Sequence, residues 1–270
     1  VPYALIQLLL NGVLEERDCS SMRWVLYGGE PFPPKHMRGL QLAWPNATFS
    51  NVYGPAEVNQ CTAFLIPPIA ENDETPIPIG RMWFNTHGLI VDSDDQSVEP
   101  GDIGELIVRA PTMMQGYWKR PDLNKKAFYF DKKEGGIKHR YYRTGDLVQE
   151  LPGGELVFLG RKDRQIKLRG YRVELDEVEA GLVSHEAVAE VAAYMVQKTD
   201  DDKMIQAAII LKESATADIQ LDEFKRHLQN KVPKYAIPES FVIFKDFPRT
   251  GSGKVDRRKL QANASLTLIA

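Results

Sequence analysis

The stretch YRTGDL, Tyr142 to Leu147, followed after a short gap by GRKDRQIKLRGYRVELDEVE, Gly160 to Glu179, decides how this chain is read. It sets an Arg-Thr-Gly-Asp turn, a second Gly-Arg turn and a dense alternation of basic and apolar residues in register, chemistry that a generic globular domain does not need. A site for a polar, phosphate-bearing ligand is the first expectation. Asp146 follows Gly145 in a turn, so its carboxylate is expected to point away from the backbone and accept two hydrogen bonds from a diol such as a ribose. Arg161, after Gly160, offers a planar fork suited to phosphate or ribose oxygens.

Composition narrows the field around that stretch. The chain has 270 residues, 43% apolar and 26% charged, as in an ordinary soluble protein with ample core. A net charge of -3 gives no electrostatic reason to expect nucleic acid or an anionic membrane as partner. Cys19 and Cys61 lie far apart without metal or redox spacing, which points to a reducing cytoplasm, and the scattered histidines argue against zinc. The apolar run Val1 to Leu10 carries Gln7 and lacks a charged leader, so it reads as a core helix and not as a targeting segment. The chain opens without methionine and in mid-pattern, as a fragment, a processed product or a trimmed piece of something longer would.

Working outward, short strands are punctuated by glycine and proline. Arg23–Tyr27 and Phe49–Tyr53 end at Gly28-Gly29 and Gly54-Pro55, and Gly88–Asp92, Glu105–Arg109 and Glu155–Leu159 follow, with acidic turns between them. Past Gly160 the order becomes strand (Gln165–Leu168), strand (Tyr171–Leu175), helix (Asp176–Ser184), strands (Val188–Val196, Met204–Leu211), helix (Leu221–Val232) and strand (Ser240–Phe244). That describes a compact α+β unit of about a hundred residues, with a boundary near Arg161 to Asp163.

Three further clusters carry candidate chemistry. In Asn51-Val52-Tyr53-Gly54-Pro55-Ala56-Glu57 an amide could read an adenine edge, a ring could stack on the base and a carboxylate could hold Mg²⁺, although a strand end with a solvated glutamate is the plainer reading. Pro248-Arg249-Thr250-Gly251-Ser252-Gly253-Lys254 is not a phosphate-binding loop of the Walker type, because Pro248 and Val255 stand where glycine and Ser/Thr are needed. A lysine on a glycine hairpin can still be delivered into a site from outside. The basic run Arg161, Lys162, Arg164, Lys167, Arg169 and Arg172 alternates with Ile166, Leu168 and Tyr171, so most of it reads as the solvated face of a hairpin.

Together and in order, NVYGPAE (Asn51–Glu57), GELIV and QGYW (Gly104–Val108, Gln115–Trp118), YRTGDL, GRKDRQIKLRGYRVELDEVE, VPKYAIP (Val232–Pro238) and GSGKVDRRKL (Gly251–Leu260) resemble the adenylate-forming superfamily. Within it they look like the adenylation domains of nonribosomal peptide synthetases and their stand-alone amino-acid ligase relatives, including those that handle β-amino acids. The resemblance implies an α/β and α+β fold. Residues 1–162 would be the C-terminal part of a large β-rich adenylation core with a distorted barrel and sheet, and 163–270 a small mobile α+β lid hinged at Asp163. It implies that ATP and Mg²⁺ are used to activate an amino acid as its adenylate, which then passes to the phosphopantetheine thiol of a carrier protein.

The roles implied are residue by residue. Asn51 and Tyr53 would hold adenine, Gly54 would belong to the same cofactor-binding set, and Glu57 would hold the magnesium, Asp146 the ribose, Arg161 the ribose or phosphate, and Lys167 a position near the ribose. Phe158 would pack near the nucleotide. Lys254 would be the catalytic lysine between carboxylate and α-phosphate, and Gly170 would line the thiol tunnel. Leu26, Gly28, Val52, Gln60 and Cys61 would lie at or near the side-chain pocket, which implies a modest, largely uncharged substrate. Ala56 replaces the usual threonine, a loss of one neutral hydrogen bond of about 0.5–1.5 kcal/mol. The family's Ser/Thr- and Gly-rich phosphate loop has no counterpart after Val1, so this chain by itself is expected not to adenylate efficiently. An acyl- or aryl-CoA ligase, or a non-catalytic module that docks a carrier protein, are the alternatives.

Overall fold

The computed structural model describes residues 1–12, 14, 17–132, 138–199, 202–213, 221–251 and 255–267. The chain forms two compact units, Val1–Asp163 and Arg164–Ala270.

In the first unit, α1 (Pro2–Leu10) precedes β1 (Trp24–Tyr27), α2 (Pro34–Ala43), β2 (Thr48–Tyr53), β3 (Thr62–Leu65) and β4 (Arg81–Met82). These four strands make a mixed sheet in sequence order, with β1 parallel to β2 and the remaining pairs antiparallel. The parallel pair exists because α2 carries the chain back across the sheet. Pro34 starts that helix at a position where no amide is needed, and Met37 and Leu40 are its buried stripe. They pack with Ile6, Val25, Tyr27 and Phe49 in one core. The expected core helix at the N-terminus is α1, but it buries only Pro2 and Ile6 and leaves Leu8 and Leu10 exposed.

A second sheet follows, from β5 (His87–Val91), β6 (Ile103–Arg109), α3 (Pro121–Ala127), β7 (Phe128–Lys132), β8 (Lys138–Glu150) and β9 (Leu156–Arg161). Its order is β5-β6-β8-β7, and β9 pairs with the C-terminal half of β8 on the edge whose N-terminal half pairs with β7. Central β6 is covered on both faces, which is why Leu106, Ile107 and Val108 run apolar without alternation. Leu106 and Val108 join Tyr53 of the first sheet, and Val58 and Cys61 of the loop that follows β2, in a shared core.

The second unit contains β10 (Gln165–Leu168), β11 (Tyr171–Glu174), α4 (Leu175–Val183), β12 (Val188–Thr199), β13 (Asp202–Leu211), α5 (Leu221–Leu228), a 3-10 turn (Lys234–Ala236), β14 (Ser240–Ile243) and α6 (Arg257–Thr267). Strands β12-β13-β14 form one sheet and β10-β11 a separate hairpin. Period-2 alternation divides β12 cleanly. Val191 and Ala193 face the core made with α4 and α5, while Ala192, Tyr194 and Val196 face the core that holds Leu260 of α6. Helix α5 buries Phe224 and Leu228 and carries Asp222 and Glu223 in its first turn and Lys225 and Arg226 in its last, the charge order its dipole favours. Among the described residues, no helix is long and apolar enough to cross a membrane.

Candidate functional site

The Arg-Thr-Gly-Asp segment is not a turn between strands. It lies inside the thirteen-residue strand β8 as a bulge: Glu105 pairs with Leu147 and Ile107 with Arg143, so Leu106 alone faces Thr144, Gly145 and Asp146. A bulge re-aims a side chain without ending the strand. Gly145 makes it possible, with φ at 71° and space for a Cβ closed off by Arg161 Nη2 at 2.7 Å. Thr144 holds the bulge shut. Its Oγ1 donates to Leu106 O at 2.6 Å and accepts from the Asp146 amide at 3.0 Å.

Asp146 is thereby placed opposite Arg161 across the β8–β9 ladder. Its side chain is 1% exposed. Oδ1 accepts from Arg161 Nη1 at 2.8 Å and Oδ2 accepts a short bond from the Tyr53 hydroxyl, on β2 of the other sheet. Burial foremost, and then the Asp146 carboxylate, push the Tyr53 phenol well above its ordinary pKa, so it stays a donor. Arg161 also donates to Thr144 O at 2.6 Å and makes a paired contact with the Asp163 carboxylate, Nε to Oδ1 at 2.8 Å and Nη2 to Oδ2. Burial opposes its charge, yet Asp163 and Asp146 outweigh it and hold the guanidinium above its usual range.

Glu105 supports this arrangement and was not singled out from sequence. Its carboxylate, 5% exposed, accepts from Arg143 Nη1 at 3.0 Å and Lys162 Nζ at 3.3 Å, and from the Gly145 amide at 3.2 Å. A lone acid in the apolar run Gly104–Val108 is the signal that would have found it, since a buried strand cannot hold an unpaired carboxylate.

The other cluster grows from the pinched loop after β2. Gly54 is required there because the chain returns so closely that a Cβ would lie 1.6 Å from Asn59 O. Cys61 closes the loop with its amide on Tyr53 O at 2.8 Å. Glu57, on that loop, accepts from the Tyr117 hydroxyl at 2.7 Å, and Tyr117 lies 3.4 Å from the Tyr142 hydroxyl. Burial, then Tyr142 and Glu57, raise the Tyr117 pKa. Tyr117 is held in turn by Asn124 of α3, through bonds of 2.7 and 3.0 Å to its backbone. It is the member of QGYW that reaches the cluster, whereas Trp118 is exposed.

Of the other sequence candidates, Asn51 is buried and its Nδ2 donates to Pro78 O at 2.8 Å. Phe158 pairs with Val148 and packs on the shared core. Gly28 lies against Val52, with a Cβ position 2.1 Å from Val52 O, and Leu26 stands 59% exposed on β1. Gln60 is exposed, and Cys61 is fully buried with its Sγ 3.5 Å from Tyr53 O. Lys167 and Gly170 belong to the β10–β11 hairpin of the second unit, and Lys254 lies outside the described residues. Among the described residues there is no group of three or more metal-ligating side chains.

Residues 1–118 match the family model described as AMP-binding enzyme, and residues 177–254 match that of the AMP-binding enzyme C-terminal domain. Over 95% of its length the chain is 34% identical to an L-proline–[L-prolyl-carrier protein] ligase of Pseudomonas fluorescens, of which it spans 48%. It is 37% identical over 96% of its length to malpibaldin synthetase of Mortierella alpina, of which it spans 5%. The fold superposes with a TM-score of 0.82 on the amide bond synthetase McbA from Marinactinospora thermotolerans, at 25% identity, covering 97% of this chain and 50% of that one. With both family models matched in sequence order and the surrounding fold shared, the chain belongs to the AMP-binding enzymes.

Proposed function

We propose that the protein is an AMP-forming ligase that activates an amino acid with ATP and passes it to the pantetheine thiol of a carrier protein. One observation carries this reading: Tyr53 and Asp146, 93 positions apart, meet in a single hydrogen bond that joins the Asn51–Glu57 loop to the Asp146–Arg161 pair. That concentrates an amide, a carboxylate and a guanidinium, the groups a nucleoside phosphate requires, in one unit of a chain whose family binds AMP.

Asp146 has four acceptor positions and uses two, on Tyr53 and Arg161, so two remain for a ribose diol, which would reach the 1%-exposed carboxylate once the side chains over it part. Glu57 would hold Mg²⁺; a single carboxylate suits that ion, which takes its remaining ligands from water and phosphate oxygens. The ion, when bound, supplies neutralising charge to the phosphates. In the first step a carboxylate oxygen of the amino acid bonds to the α-phosphorus as the α–β bridging bond breaks and pyrophosphate leaves. Lys254 would stabilise the charge on the attacking carboxylate and the α-phosphate oxygens. In the second step the thiolate attacks the acyl carbon and AMP leaves, with Gly170 bordering the path of the thiol and Asp163 as the pivot between the two steps. Leu26, Gly28, Val52, Gln60 and Cys61 would shape the pocket for a modest, uncharged side chain. Both cysteines are free thiols, in keeping with a reducing cytoplasm.

The test is amino-acid-dependent ATP–pyrophosphate exchange by the protein expressed from its complete reading frame, with proline included in the panel. Lys254→Ala should lower the rate on the order of 10²–10³-fold. An unchanged rate would remove this mechanism. Offering coenzyme A, a holo-carrier protein and a free amine as acceptors then separates the transfer chemistries.

A further inference from the structure

The β10–β11 hairpin ends in a two-residue turn, Arg169 and Gly170, closed by the Leu168–Tyr171 pair. Both residues have positive φ, 51° and 86°. Glycine and asparagine suit such a turn, whereas the Cβ of an arginine is crowded there. A backbone held in a sparsely populated conformation persists only where its surroundings over-determine it.

They do so here. Arg169 Nε and Nη2 donate to Asp202 Oδ1 and Oδ2 at 2.9 and 2.6 Å, and Nη1 lies 2.8 Å from Glu239 Oε1. Nη2 also reaches Lys203 O at 3.3 Å. Asp202 opens β13, while Glu239 immediately precedes β14 and holds Lys198 at 2.6 Å. Two residues past Arg169, the Tyr171 ring lies flat on Tyr235, with centroids 4.2 Å apart and planes 9° apart. The apolar core of this unit is built from other side chains, including Leu168, Val173, Val178 and Phe224. The turn is therefore strained and is fastened from two directions by groups outside the core, so its position is being specified.

We infer that Asp202 and Glu239 are positioning residues for the transfer of the acyl group to the thiol, acting through Arg169 to fix the Arg169–Gly170 turn. The inference rests on the transfer step proposed above, in which that turn borders the path of the thiol. Neither carboxylate touches substrate. Their removal frees the turn to relax, and a small displacement beside a reacting thiol is costly while activation of the amino acid proceeds unaltered.

The experiment uses the Asp202→Asn, Glu239→Gln double variant of the protein expressed from its complete reading frame. Adenylate formation is followed as amino-acid-dependent pyrophosphate release with hydroxylamine as trap. Transfer is followed as the single-turnover decay of preformed adenylate on addition of pantetheine. The expected result is transfer slowed about ten- to a hundredfold, with adenylate formation within about twofold of the unaltered protein. Amide hydrogen exchange over residues 168–172 rises while the melting temperature falls only slightly, and restoring Asp202 alone recovers part of the transfer rate. An equal fall in both half-reactions, or faster exchange with transfer unchanged, overturns the inference. Absence of pyrophosphate release by the unaltered protein with every amino acid is a different failure, that of the proposed function itself, and the inference falls with it.

Discussion

Two arginines, one in each unit, are each gripped by two carboxylates, and their surroundings give the same chemistry opposite characters. Arg161 sits between Asp146 and Asp163, and its contact with Asp146 is sealed, the two side chains being 12% and 1% exposed. Arg169 sits between Asp202 and Glu239, which keep 19% and 33% of their surface in water. Taking charges out of water costs so much that a buried pair is held together mainly by the penalty of leaving one member alone. An exposed pair contributes little to stability and chiefly sets geometry. The sealed Asp146–Arg161 contact can thus be a fixture of the fold, while the second arrangement adds little stability and chiefly places a turn.

Breaking the sealed pair should have the largest effect. Asp146→Ala removes the acceptor shared by Arg161 Nη1 and the Tyr53 hydroxyl and should cost about 3 kcal/mol in urea unfolding of the first unit, the low end for a broken buried pair because Asp163 still holds the guanidinium. A loss under about 1 kcal/mol would mean that this pair behaves like an exposed one. Glu105→Gln comes next. It weakens the anchors to Arg143, Lys162 and the Gly145 amide at once, and about 1–3 kcal/mol is expected in the same measurement. An unaltered midpoint would show that the bulge holds itself through Thr144.

The smallest effect is a pH dependence of the exposed clamp. Burial tends to raise the Asp202 and Glu239 pKa values, but Arg169 on Asp202, and Lys198 with Arg169 on Glu239, bring both below their ordinary 3.8 and 4.5. Both groups therefore bind protons more readily unfolded than folded, so their contribution is complete above those ordinary values and disappears as pH falls through the lower folded ones. Denaturation of the Asp202→Asn, Glu239→Gln variant and of the unaltered protein should differ at neutral pH and converge in acid. A gap that widens on acidification would reverse the sign assigned to this pair.

Much of the fold could be read from local pattern. The strand at Gln165–Leu168 and the strands beginning at Val188 and Ser240 follow from alternation, and α4 from its acidic first turn and buried Val178 and Leu182. Strand β8 could not be read in this way. Gly145 and Asp146 are turn formers by local propensity, and only pairing with β6 on one edge and β7 and β9 on the other carries the strand through them. Asp146 and Arg161 stood out in the sequence, but that they face each other depends on the ladder between their strands. Glu105 and Tyr117 were hidden for a similar reason, because their partners come from segments far along the chain.

By itself, then, the sequence determined the residue types and spacings that mark an AMP-binding enzyme, the α/β character and the Arg169–Gly170 turn, because these depend on side-chain chemistry and near neighbours. The tertiary structure alone decided that Tyr53 closes on Asp146, that a bulge in a continuous strand aims that carboxylate, and that Asp202 and Glu239 converge on Arg169. Each of those outcomes joins groups from different strands, and their pairing depends on sheet register and burial, quantities that no local stretch of sequence contains.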